Sequence, residues 1–158
     1  MVDPLLALRD ASGVTLPFER YEGAGRCLLG RPAWGNGSSR RGYGLPIFEQ
    51  CGAACAYCGY DMSATYEAWL NLSVDHVIPA GDARRLGYPV EWFEDVANLV
   101  TSCRACNEFL NGYRVTDVPP ATVEEFFDLR DIHFARKRAW VLARHREERG
   151  WYDARPRK

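Results

Sequence analysis

The chain lacks any apolar run approaching the roughly 20 residues that cross a membrane. Its first stretch, MVDPLLALRDASG, lacks the basic segment followed by a long apolar one that marks a secretory signal. These two absences predict a cytoplasmic protein with no membrane partner, in a compartment where thiols stay reduced. The chain also lacks charge imbalance, with a formal net charge of −1, so global electrostatics does not mark it as a nucleic-acid binder. It has no internal repeat. At 158 residues and 47% hydrophobic it is long and apolar enough for one packed domain, and wholesale disorder is excluded.

What the chain does contain is six cysteines, which in a reducing compartment read first as metal ligands. Cys55, Cys58, Cys103 and Cys106 form two CxxC pairs. Each pair puts two thiolates on one tight turn, and two pairs complete a tetrahedral sulfur shell suited to Zn2+, with iron chemically allowed. A thioredoxin-like redox site needs one such pair, not two. The pairs are separated by 44 residues, too many for a simple zinc ribbon, so something is inserted between the knuckles. Cys27 and Cys51 are left over and read as structural.

The insertion contains VDHVIP. Residues 70–79 alternate apolar and polar and read as a strand ended by Pro79 and Gly81. Asp75 and His76 sit near its end. Neighbours on a regular strand point to opposite faces, so both serve one site only where the strand ends or twists. A carboxylate is a hard ligand for Mg2+, and an imidazole can take a proton from water near neutral pH. Residues 97–103 are a second short strand candidate, followed by a short helix from Ser102 to about Asn111 and Gly112. Asn107 and Asn111, four apart, would then share a helix face.

Residues 1–50 are rich in Gly and Pro and read as a loop-rich segment, 51–113 as the core, and 114–158 as a helical extension. Thr122 and Glu125 form a capping pattern at the first helix of that extension, and a longer helix is expected from Arg130. Ile132, Ala135, Ala139, Leu142 and Ala143 are expected to face the core. Arg130, Lys137 and Arg144 are expected on the opposite, exposed face, with His133 nearby. Between Arg130 and Arg149 seven basic residues face three acids, giving +4 and leaving −5 for the rest.

The combination CAYC, DHVIP, NLV and CRACN resembles the zinc-containing HNH endonucleases over residues 51–113. That resemblance implies an α+β chain with a ββα-metal core, stapled by a structural zinc on four cysteines and extended by a basic helical region. It implies that Asp75 and Asn107 hold a catalytic Mg2+ or Mn2+, with Asn111 at a further ligand position, and that His76 is the general base. Asn98 would brace the loop carrying the histidine. The site is an H-N-N variant, and EFLNGYR lacks the lysine usual after the second CxxC. The implied substrate is a phosphodiester, most directly in double-stranded DNA, with Arg84, Arg85, Arg130, Lys137 and Arg144 as candidate phosphate contacts. A protein partner that delivers the substrate is compatible with the modest charge. The competing reading is a non-catalytic zinc module that binds nucleic acid or protein. A non-nucleolytic zinc enzyme is disfavoured, because an all-cysteine shell leaves no open coordination position.

Overall fold

A computed structural model describes residues 47–48 and 51–156. Apart from helical Ile47 and Phe48, the loop-rich segment expected over 1–50, with Cys27, lies outside the described residues. The described elements run α1 (Tyr66–Leu70), β1 (Leu72–His76), α2 (Ala80–Leu86), α3 (Val90–Phe93), a 3-10 turn (Val96–Asn98), β2 (Leu99–Cys103), α4 (Arg104–Phe109) and α5 (Val123–Ala154).

The two strands pair antiparallel, with Leu72 opposite Cys103 and His76 opposite Leu99. The expected strand over 70–79 is trimmed to five residues, because Pro79 caps the start of α2. The strand expected over 97–103 begins two residues late, because Asn98 ends a 3-10 turn. Every residue of β2 is buried, its polar ones with partners. Thr101 Oγ1 donates to the Ala54 carbonyl at 2.8 Å, and Ser73 Oγ donates to that of Ser102 at 2.8 Å. On the far edge of β2, the Ala56 N–H donates to the Thr101 carbonyl at 2.9 Å and the Thr101 N–H to Cys51 Sγ at 3.3 Å. The segment carrying the first CxxC is thereby laced to the strand that leads into the second.

The 21 residues between His76 and Asn98 form α2 and α3, joined through Gly87, whose φ of 82° is left-handed and favours glycine. Ala83, Tyr88 and Phe93 anchor the pair in the core. α4 packs against both strands. It stops at Phe109 rather than near Gly112, with Leu110 as its C-cap.

α5 is one unbroken helix of 32 residues, about 48 Å long at 1.5 Å per residue. Its start carries the expected capping box between Thr122 and Glu125. No break occurs near Arg130, and up to Val141 the buried face is the reverse of the expected one, whereas Leu142 and Ala143 are half-buried and Arg144 is exposed as expected. Phe126, Phe127, Arg130, His133, Phe134, Lys137 and Val141 are buried, whereas Ile132 is 47% exposed and Ala135 and Ala139 face solvent. Alanine contributes little apolar area, and three phenylalanines outweigh that weak stripe. The phenylalanines share their face with Arg130 and Lys137, so those two cations are carried inward with them. Phe126, Phe134 and Val141 join the same core as Tyr57, Leu72 and Val100, so α5 closes the domain.

Candidate functional site

Cys55, Cys58, Cys103 and Cys106 converge, with all four sulfurs within 4.8 Å of one another. The first knuckle closes when the Gly59 N–H donates to the Cys55 carbonyl at 2.9 Å, with Gly59 at φ 83°. The second knuckle straddles a junction: Cys103 ends β2 and caps α4, and Cys106 lies within α4. Tetrahedral Zn–S bonds of about 2.3 Å separate sulfurs by about 3.8 Å. Cys58 Sγ lies 3.8 Å from Cys103 Sγ. The cluster is therefore compatible with structural zinc.

Without a cation the four thiols cannot all ionise. Hydrogen bonds from Cys103 and Cys106 pull Cys55 far below the ordinary thiol range, while the same crowding drives Cys106 far above it. A divalent ion removes that conflict. From α5, His145 Nε2 lies 3.2 Å from Cys106 Sγ, and its ring meets Phe109 edge-on. Nothing in the sequence marks His145 as a neighbour of the thiols, because 39 positions separate it from Cys106.

Asp75 and His76 occupy the end of β1. Asp75 is not the free carboxylate expected of a metal ligand. Its Oδ2 accepts from Tyr57 Oη at 2.5 Å and from Lys137 Nζ at 2.7 Å. The same ammonium donates to the His76 carbonyl at 2.6 Å, which ties α5 to both residues. Burial pulls Lys137 below its usual range, and Asp75 opposes that pull. Burial and then the Asp75 charge push Tyr57 upward. Lys137 therefore pairs with Asp75 from inside the fold and does not face solvent.

His76 Nε2 lies 3.6 Å from Glu94 Oε2, and neither atom has a hydrogen-bond partner. Glu94 Oε1 accepts from Arg84 at 2.5 Å. The neighbouring His76, more than any other group, holds the Glu94 carboxyl below its ordinary range. Asn98 is fully buried and spans three backbone groups. Its Oδ1 accepts from the Ile78 N–H at 2.9 Å, and its Nδ2 donates to the carbonyls of Ile78 at 3.0 Å and Phe93 at 2.8 Å. One amide thus fixes both the loop after His76 and the chain immediately before Glu94.

Asn107 is half-buried on α4, in the residue after Cys106. Asn111 does not share a helix face with it, because α4 has already ended. It is exposed and borders a groove with Glu108, Trp140 and Arg144. Of the expected phosphate contacts, Arg130 and Lys137 must be withdrawn, since they are 0% and 1% exposed. Arg130 stacks over the Phe134 ring, with 5.2 Å between guanidinium and centroid. Arg84, Arg85 and Arg144 do reach the surface, paired with Glu94, Asp82 and Glu147. His133 is buried too, with Tyr113 Oη 2.6 Å from Nδ1 and Asp117 Oδ2 2.9 Å from Nε2. Burial lowers its pKa against the pull of Asp117.

No family profile, curated protein or solved structure matches the chain. Among the described residues, the four cysteines are the only group of three or more His, Cys, Asp or Glu whose donor atoms converge closely enough for one metal ion. No helix among those residues is long and apolar enough to cross a membrane.

Proposed function

We propose that the chain is a metal-dependent endonuclease of the HNH type that hydrolyses phosphodiester bonds in DNA. One observation carries the reading: two antiparallel strands lead into a helix, with Asp75 and His76 at the end of the first strand and the thiol cluster where the second strand meets the helix. Asn98 supports it by gripping the loop that follows His76.

Two metals belong to this reading. The four cysteines suit zinc in a structural role. The second, Mg2+ or Mn2+, suits the hard oxygen donors of Asp75 and the Asn107 amide. Asp75 Oδ2 is committed to Tyr57 and Lys137, which leaves Oδ1 for a cation. A bound divalent ion supplies positive charge where the phosphate and its leaving oxygen become more negative. His76 takes a proton from water, and the resulting hydroxide attacks phosphorus in line. The bond to the 3′ oxygen breaks, and that oxygen takes up a proton from solvent, giving a 3′ hydroxyl and a 5′ phosphate. Exposed Arg84, Arg85 and Arg144 are the retained candidates for phosphate contact, and each would steepen the salt dependence of binding.

The buried Lys137 ammonium on Asp75 favours one rival, a non-catalytic zinc module that binds nucleic acid or protein. A plasmid-nicking assay on zinc-loaded protein separates the two. Cleavage that requires Mg2+ or Mn2+ and stops with brief EDTA treatment supports the nuclease. Intact plasmid in both metals, from protein that is folded and holds its zinc, leaves the binding module.

A further inference from the structure

The insertion between the strands carries a carboxylate to His76. Glu94 comes at the end of α3, and its side chain is 8% exposed. Such a group is held inside a fold only with partners. Arg84 of α2 holds one oxygen, Oε1. The other oxygen points at His76 Nε2 across 3.6 Å, and among the described residues no protein donor competes for either atom. The gap is an ion-pair distance that a small ring movement closes to a hydrogen bond. Asn98 binds the carbonyls of Ile78 and Phe93, so the backbone on either side of the pair is fixed by a single side chain.

Resting on the nuclease reading above, we infer that Glu94 is a positioning residue that holds His76 with its proton on Nε2 and leaves Nδ1 as the basic nitrogen. The tautomer of a histidine is set by the bond its other nitrogen makes, and a carboxylate accepts but does not donate. Nε2 is buried, so the 22% exposure of the His76 side chain lies elsewhere on it, and Nδ1 is the nitrogen left to meet water. When water gives its proton to Nδ1, the ring becomes cationic and faces the Glu94 carboxylate. Arg84 holds the other Glu94 oxygen in place. The two short helices are thus a delivery arm for the general base, with Arg84 as its brace.

The test is the exchange of oxygen for nitrogen in Glu94→Gln, compared with Glu94→Asp. With Arg84 still holding the carbonyl oxygen, the glutamine amide presents donors to Nε2 and forces the proton onto Nδ1. Long-range proton–nitrogen spectra of the His76 ring, assigned by their loss in His76→Gln and recorded where imidazoles are neutral, should show Nε2 protonated in the wild type and Nδ1 protonated in Glu94→Gln. In plasmid cleavage, Glu94→Gln should lose about 10²- to 10⁴-fold in kcat, with KM and zinc content unchanged. Glu94→Asp, which keeps the charge, should recover part of that loss. A purely structural role would move melting temperature and zinc retention but not the tautomer. A wild-type ring protonated on Nδ1, or a Glu94→Gln ring identical to wild type, overturns the inference. If the wild-type protein cuts nothing, the nuclease reading fails, and the spectra still decide the role of Glu94.

Discussion

The thiol cluster at the head of α4 and the inner face of α5 both bring ionisable groups into the interior, and they are neutralised differently. At the cluster, four sulfurs stand close together with opposed shifts in their ionisation, an arrangement that could hold a cation from outside. Along α5, Lys137 and His133 meet partners from the chain itself: Asp75 and the His76 carbonyl for the first, Tyr113 and Asp117 for the second. The first region could take its counter-charge from an outside ion, whereas the second finds its partners within the chain. The two regions act on opposite ends of the strand pair: α5 pins Asp75 and His76 at the end of β1, and the cluster stands at the end of β2, where the helix carrying Asn107 begins.

Removing a metal from the cluster should have the largest effect. Structural zinc contributes about 10–16 kcal/mol in small zinc-dependent domains, so prolonged chelation or Cys103→Ser should abolish cooperative folding. Zinc analysis and circular dichroism check this, with about one zinc per folded chain expected. A folded, metal-free Cys103→Ser protein would mean that the cluster needs no outside ion.

The next largest effect should come from α5. Lys137→Met leaves Asp75 without its buried counter-charge and should cost about 3–5 kcal/mol in urea unfolding. Arg138→Ala, one residue on but exposed, should stay within about 0.5 kcal/mol of wild type. Equal effects of the two changes would show that Lys137 does not face inward.

Asn98→Ala sharpens the link between the regions. It should cost about 2 kcal/mol, chiefly from the stranded Ile78 N–H. It should also loosen hydrogen-exchange protection at Ile78 while zinc content stays intact.

The smallest effect should be that of Asn111→Ala. It should leave stability within about 0.5 kcal/mol and the Mg2+ dependence of cleavage unchanged. Asn107→Ala should raise the Mg2+ concentration needed for cleavage, and a larger shift from Asn111 than from Asn107 would reverse that assignment.

The two regions are also unequally legible in the sequence. The thiols announce themselves because CxxC spacing is local chemistry, and the strand–strand–helix order follows from short alternating runs around them. The face of α5 is ambiguous by periodicity, because Ile132, Ala135 and Ala139 form an apolar stripe at helical spacing just as Phe127, Phe134 and Val141 do. The decisive information is the aromatic bulk on the stripe shared with Arg130 and Lys137, and it is present in the sequence. The partner that makes a buried lysine tolerable is not, because Asp75 lies 62 positions away. Glu94 is hidden for the same reason. It sits in the acidic stretch EWFED, and only the folding of α2 and α3 selects it over Glu91 or Asp95 as the group facing His76.

The most direct test of the account is plasmid cleavage by His76→Ala beside the wild type, both loaded with zinc and supplied with Mg2+. The substitution keeps the His76 backbone carbonyl that accepts from Lys137 and removes the side chain facing Glu94, so fold, zinc content and DNA binding should be retained. Cleavage should fall by about 10²- to 10⁴-fold, the contribution of a general base. Cleavage by His76→Ala at the wild-type rate would contradict the account, because the proton would then be leaving water by a route that does not involve the residue on which the site is built.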